Sequence, residues 1–235
     1  MTAAETAADL IADDTTIGLG SGRAATAFVE ALGRRVAKGL RVRGVPTSEA
    51  TGQLATKLNI PLATLDEVAE LALTVDGADE VDPHLNLIKG LGGALIRERV
   101  VAASSGRLII LVGMEKIVSK IGSKAPLPVE VVRFATIPCQ RKLEAALKCQ
   151  AVLRLANGVP YVTDNGNHIL DCKIGPTDDL PALANTVRDV PGVVGHGLFL
   201  GMAEMVVVDQ FRQAPLVFRK IRQTTSFADR FPWKK

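Results

Sequence analysis

Strand-like and helix-like patterns alternate from residue 15 to residue 112, and this constrains the fold of the 235-residue chain more than any other feature. Thr15-Thr16-Ile17-Gly18-Leu19 is a short apolar strand that runs into a glycine turn. Over residues 24–40, Phe28, Ala31, Leu32 and Val36 recur at three- and four-residue spacing, the mark of a helix with one apolar face. The alternation continues with a strand at 40–45, a helix at 48–58 closed by Asn59-Ile60-Pro61, a strand at 71–75 ending on Asp76, a helix at 92–104 and a strand at 107–112. A helix over 3–12 precedes them. Strands that alternate with helices pair in parallel, so the expected class is α/β: a parallel sheet with helices on both faces. Leu108-Ile-Ile-Leu-Val112, apolar at every position, belongs at the centre of such a sheet.

Beyond Lys124-Ala-Pro-Leu-Pro128 the pattern changes. A strand at 129–134, a helix at 140–150, strands at 152–155 and 161–163, a turn at Asp164-Asn165-Gly166-Asn167, a strand at 168–171 and a helix at 180–187 read as a smaller α+β domain. We therefore expect residues 1–126 plus 199–235 to form the parallel-sheet domain and 127–198 to be inserted in it.

Composition excludes several classes of function. Hydrophobic residues make up 47% of the chain and aromatic ones only 4%, so the core is built from Ala, Val, Leu and Ile. No apolar run approaches the roughly 18 residues of a membrane helix, and the first 14 residues carry acids but no Lys or Arg, unlike an export signal. Cys139, Cys149 and Cys172 are odd in number and widely spaced, which fits neither a disulfide framework nor a zinc site and suits a cytoplasmic location. His84, His168 and His196 show no metal-ligand spacing, so no metal is expected. Residues 211–235 hold seven of the 28 basic residues, four of the seven Phe and the single Trp. The remainder is slightly acidic, which argues against nucleic acid as a partner, and the tail is expected to pack on a sheet edge or a neighbouring subunit.

Three stretches can carry chemistry. Gly18-Leu19-Gly20-Ser21-Gly22 follows a strand and opens a helix, where amide N–H groups and the helix dipole hold an anion such as phosphate. From Gly20 the string also fits a dinucleotide-binding turn, but residues 41–47 lack the acid that would meet a ribose. Val75-Asp76-Gly77-Ala78-Asp79-Glu80-Val81-Asp82 places four carboxylates at the end of a buried strand; the competing readings are a solvated loop and a ligand site. Lys89-Gly90-Leu91-Gly92-Gly93 precedes a helix and offers a mobile positive charge and backbone donors to an anionic intermediate. Glu98, in that helix, is either a surface residue between Arg97 and Arg99 or a half-buried base with a raised pKa.

Together with Thr47-Ser48-Glu49-Ala50-Thr51, Leu127-Pro-Val-Glu-Val131, Thr163-Asp-Asn-Gly-Asn167 and Pro191-Gly-Val-Val194, these stretches closely resemble type A ribose-5-phosphate isomerase, in order over residues 17–208. The resemblance implies a metal-free, cofactor-free aldose–ketose isomerase of the pentose phosphate pathway that interconverts ribose 5-phosphate and ribulose 5-phosphate. It also implies a Rossmann-like domain carrying an inserted ferredoxin-like one, in a homodimer or homotetramer. By motif, Glu98 stands for the base that moves a proton between C1 and C2 through an enediolate, and Asp76 for the acid/base of ring opening. Lys89 with Gly90, Gly92 and Gly93 stands for the oxyanion element, with Asp79 in the same pocket. Gly20, Ser21, Gly22, Ser48 and Lys116 stand for substrate and phosphate contacts. The chain departs from the family where Arg23 and Ala24 replace two hydroxyl residues, where Leu91 replaces a common glycine, and where the first helix has no lysine for the phosphate. Arg23 is therefore expected to serve as a bidentate phosphate ligand. The alternatives are a shifted sugar substrate, a non-catalytic sugar-phosphate sensor and a nicotinamide dehydrogenase.

Overall fold

The computed structural model describes residues 1–210 and 213–220. Fifteen strands are formed among them: β1 (Thr15–Leu19), β2 (Val42–Pro46), β3 (Thr74–Gly77), β4 (Glu80–Val81), β5 (Leu87–Ile88), β6 (Leu108–Gly113), β7 (Leu127–Val131), β8 (Ala151–Leu153), β9 (Leu155–Ala156), β10 (Val159–Pro160), β11 (His168–Cys172), β12 (Val193–His196), β13 (Leu198–Phe199), β14 (Met205–Asp209) and β15 (Leu216–Arg219). The α-helices are α1 (Ala3–Asp9), α2 (Arg23–Val36), α3 (Glu49–Lys57), α4 (Leu95–Ala103), α5 (Thr136–Leu147) and α6 (Leu180–Arg188). No described helix is long and apolar enough to cross a membrane.

The principal sheet has the order β15-β14-β6-β3-β1-β2 and is parallel except for β15. Alternate residues of β6 explain its unbroken apolar run. Ile109 and Leu111 pack with Phe28 and Leu32 of α2 and the alanines of α1, while Leu108, Ile110 and Val112 face Ala102, Phe199 and Val206 on the opposite side. Small residues let α1 lie close: Ala3, Ala4, Ala7 and Ala8 are all buried.

The second sheet, β12-β7-β11-β8, is antiparallel throughout. With α5 between β7 and β8 and α6 between β11 and β12, it has the βαββαβ order of a ferredoxin-like unit. Its own core contains Val129, Val131, Cys139, Leu143, Leu170 and Val187.

Several boundaries differ from the sequence expectations. Leu127 and Pro128 are the start of β7 rather than a break, because Pro128 needs no N–H where its carbonyl accepts from Gly197. α5 begins at Thr136, with Pro138 in the first turn where a missing N–H costs nothing. Residues 161–163 are not a strand; β9 and β10 form a hairpin just before them. Within the tail, β15 pairs with β14 at the sheet edge, as one of the two expectations had it, and residues 211–212 and 221–235 lie outside the described residues.

Candidate active site

Sheet order decides where a ligand can enter. From β1 the chain passes to β2 on one side and then to β3 on the other, so the carboxyl ends of β1 and β3 diverge into a crevice. A cavity of about 640 Å³ opens there. Its wall includes Ser21, Gly22 and Arg23 after β1, Gly77 and Asp79 after β3, Lys116 after β6, Asp209 at the end of β14, and Lys89, Gly90, Gly92 and Glu98.

The central cation is Lys89, 2% exposed. Its ammonium donates to the Gly77 carbonyl at 2.6 Å and lies 3.0 Å from Asp76 Oδ2 and 3.4 Å from Glu98 Oε1. The Phe199 ring, 5.5 Å away, closes the site behind it. Burial by itself would lower the lysine pKa, but Asp76 and Glu98 overbalance it and hold the ammonium above its ordinary range. Two buried carboxylates thus share one cation, and both cannot be ionised cheaply. Asp76 Oδ1 accepts from the Ser21 and Gly77 amides, which favours its charge, although burial pulls its pKa upward. Glu98 has less help: burial, and then the Asp76 charge, push it up to about 8, and Oε2 has no hydrogen-bond partner. A carboxylate placed in this way can take a proton from carbon near neutral pH.

Asp79 stands beside this group and accepts from the Leu91 amide at 3.0 Å. Gly90 and Gly93 have φ of +101° and +89°, values that L side chains rarely adopt, so the 90–93 turn needs glycine at both. At Gly93 a Cβ would also lie 2.2 Å from the Tyr161 hydroxyl.

The β1–α2 turn contributes differently from residue to residue. Gly22 is the N-cap of α2 and Arg23 its first residue, so both stand at the positive end of the helix on the cavity wall. Gly20 lies behind them, pressed against Asp76: a Cβ there would meet Asp76 Oδ1 at 2.3 Å. Ser21 lines the cavity, and its hydroxyl bonds Thr47 and Ser48, each at 2.7 Å, with Thr51 3.3 Å away. Ser48, the N-cap of α3, is one hydroxyl removed from the cavity wall. Lys116 ends the short turn after β6, and Ala3 and Ala4 of α1 face it where a basic residue is absent. Glu115 and Asp209 line the same end.

Other residues act on the site although sequence assigns them no role: Arg154 is in none of the stretches singled out, and Glu130 and the 163–167 loop enter only as stretches of the resemblance. Arg154 is bonded to Asp171 and to two carbonyls of the 90–93 turn. Glu130, fully buried in β7, accepts from Thr163, Asn165 and Asn167. That loop in turn meets Arg97 of α4 and the amide of Glu49. The available signal was a lone charge within an apolar strand, Val-Glu-Val in one case and Val-Leu-Arg-Leu in the other. Among the described residues, no group of three His, Cys, Asp or Glu could hold a metal ion.

Comparison with known proteins agrees with this architecture. The family model for ribose 5-phosphate isomerase A (phosphoriboisomerase A) matches residues 43–212. The ribose-5-phosphate isomerase A of Roseiflexus castenholzii is 52% identical over 209 residues, 88% of this chain and 89% of that protein. The structure of ribose 5-phosphate isomerase A from Methanocaldococcus jannaschii superposes with a TM-score of 0.88 at 37% identity, covering 93% of this chain and 96% of that one. A D-ribose-5-phosphate isomerase solved in complex with phospho-erythronic acid has the same TM-score at 38% identity, covering 92% and 96%. Such identity along most of the sequence, on the same fold, makes the chain a member of the ribose 5-phosphate isomerase A family.

Proposed function

We propose that this chain interconverts D-ribose 5-phosphate and D-ribulose 5-phosphate, with Glu98 carrying the proton between C1 and C2 through an enediolate. The observation that carries the reading is the buried Lys89 ammonium set between Asp76 and Glu98 on the wall of a cavity. Glu98, as the weaker acid of the pair, takes the proton from one carbon and returns it to the other. Asp76 moves protons on the sugar oxygens during ring opening. Lys89 and the amides of Gly90 and Gly92 face the negative charge that develops on the enediolate oxygens, while Gly93 closes the turn by donating to the Gly90 carbonyl and Asp79 orders it.

At the other end of the cavity, the α2 N-terminus, Ser21, Gly22, Arg23 and Lys116 take the phosphate, with Ser48 supporting the Ser21 hydroxyl; Gly20, whose N–H is bonded to Val75, shapes the turn from behind and is not itself a ligand. The guanidinium of Arg23 supplies donors that Ala24 does not. A relative that binds phospho-erythronic acid supports a phosphorylated polyol acid as a fitting ligand for this fold.

We also assign residues 127–198 as an inserted domain, supported by their own antiparallel sheet, with 1–126 and 199–235 as the principal one. A homodimer or homotetramer is supported by Phe134, 98% exposed on the rim of the small sheet. A cytoplasmic location is supported by the three free cysteines.

The test is turnover of ribose 5-phosphate with chelator present, alongside unphosphorylated ribose and allose 6-phosphate. Conversion of ribose 5-phosphate alone is the expected result. Preference for either other sugar would mean that Arg23 has shifted the specificity, and no turnover of any would refute the enzyme reading.

A further inference from the structure

The 90–93 turn is gripped from the second sheet. Arg154, just after β8, is held at its backbone by Ile169 and Tyr161, to which it is bonded at 2.9 Å in each case. Its side chain is 12% exposed, and the guanidinium forks onto Asp171 of β11, with Nε donating to Oδ2 at 2.9 Å and Nη2 donating to Oδ1. That leaves Nη1 pointing at the turn, where it donates to the Gly90 carbonyl at 2.9 Å and to the Leu91 carbonyl at 3.0 Å.

Two consecutive carbonyls drawn to one cation fix two peptide planes. In a trans peptide the N–H points opposite to the carbonyl, so the Leu91 and Gly92 N–H groups are turned away from Arg154. The Leu91 N–H is taken by Asp79. The Gly93 N–H is taken by the Gly90 carbonyl at 3.0 Å. Among the described residues, the Gly92 N–H has no protein acceptor, and Gly92 lines the cavity that Lys89 and Glu98 share. A donor left free on the reacting side, with its peptide polarised by a cation on the other side, suits an anion that exists only during the reaction.

We propose that Arg154, oriented by Asp171, is a positioning residue that aims the Gly92 N–H at the enediolate oxyanion. The inference rests on the proposed isomerase reading of the cavity and deepens it: the inserted sheet sets the geometry of the oxyanion turn rather than only packing beside it. Arg is suited to this where Lys is not, because the fork must satisfy a carboxylate and two carbonyls at once.

The experiment compares Arg154→Met, Arg154→Lys and Asp171→Asn with the unaltered protein in kcat, in KM for ribose 5-phosphate, and in inhibition by phospho-erythronic acid and by inorganic phosphate. The acid carries a carboxylate, whose paired oxygens resemble the enediolate in charge and shape. We expect Arg154→Met to lower kcat about 30-fold, less than the roughly 100-fold or more typical of deleting an oxyanion donor itself. KM and inhibition by inorganic phosphate should stay within about threefold, and inhibition by phospho-erythronic acid should weaken in parallel with kcat. Lysine should recover little. Asp171→Asn, which keeps the side-chain size should the Met variant fold poorly, should lose about fivefold in kcat with the same split. Free guanidinium should restore part of the kcat of Arg154→Ala. An unchanged kcat in Arg154→Met, or equal loss of kcat and of inorganic phosphate binding, overturns the inference. Either result leaves the isomerase reading standing so long as the unaltered protein turns over ribose 5-phosphate; absence of that turnover would instead remove the reading, and near-normal turnover in Glu98→Gln would remove only Glu98 from the role of base.

Discussion

Replacing Glu98 by Gln should make the protein more stable while it destroys turnover, and the stability gain should depend on pH. Folded Glu98 has a pKa of about 8 against an ordinary 4.5, because it is buried beside Asp76. Between those values the folded chain holds a proton that the unfolded chain releases, so stability falls as pH rises through that interval. The slope is about 1.4 kcal/mol per pH unit, a cost of about 3 kcal/mol at pH 7 that falls to about 1 kcal/mol at pH 5. Glutamine has no charge to desolvate, and Lys89 keeps Asp76 as its partner at 3.0 Å. Urea melts of both proteins at pH 5, 6, 7 and 8 should therefore show a gap in favour of the variant that widens with pH. Taking the difference between the two cancels the titrating groups that do not interact with Glu98. In the same samples kcat should fall by about 10² to 10⁴ with KM little changed. A gap that stays flat from pH 5 to 8, or a wild type that gains on the variant as pH rises, would refute a raised Glu98 pKa.

Further outcomes are expected at three other positions. Gly20→Ala drives a Cβ to 2.3 Å from Asp76 Oδ1 and 2.6 Å from its Cα, so kcat and the thermal midpoint should both drop, with a stability loss of about 1–3 kcal/mol. Arg23→Ala should raise KM for ribose 5-phosphate about tenfold with kcat nearly intact, as for the loss of a charge-assisted phosphate contact; an unchanged KM removes Arg23 from that role. Glu130→Leu strands the donors of Thr163, Asn165 and Asn167 and should cost about 3 kcal/mol in urea melts; a cost near zero would mean that the loop does not depend on this carboxylate.

Periodicity exposed the elements whose burial is regular along the chain. α2 shows the three- and four-residue apolar spacing because one face meets the sheet, and β6 is apolar at five successive positions because both faces are covered. Short segments left no such trace. β4, β5 and β13 have two residues each, too few for alternation, and exist because they pair with one another. β14 completes the parallel sheet from a distance in sequence through its pairing with β6, which no local pattern announces.

At the site, residue types and their order were enough to nominate Asp76, Asp79, Lys89 and Glu98, since a carboxylate-rich strand end and a glycine turn after a lysine are unusual within an apolar frame. The sequence by itself therefore determined the alternating architecture, the crevice at the strand ends and the chemical groups available there. Only the tertiary structure decided their states. Whether Glu98 is an ordinary surface acid or a base with a pKa of about 8 depends on its burial and on Asp76 beside it, and these are set by how α4 meets β3. The orientation of the Gly92 amide depends on Arg154, a residue that reaches the turn only when the second sheet folds against the first. Composition and spacing specify which groups a chain carries; electrostatic energies and hydrogen-bond directions depend on distance and solvent exclusion, which exist only once the chain has folded.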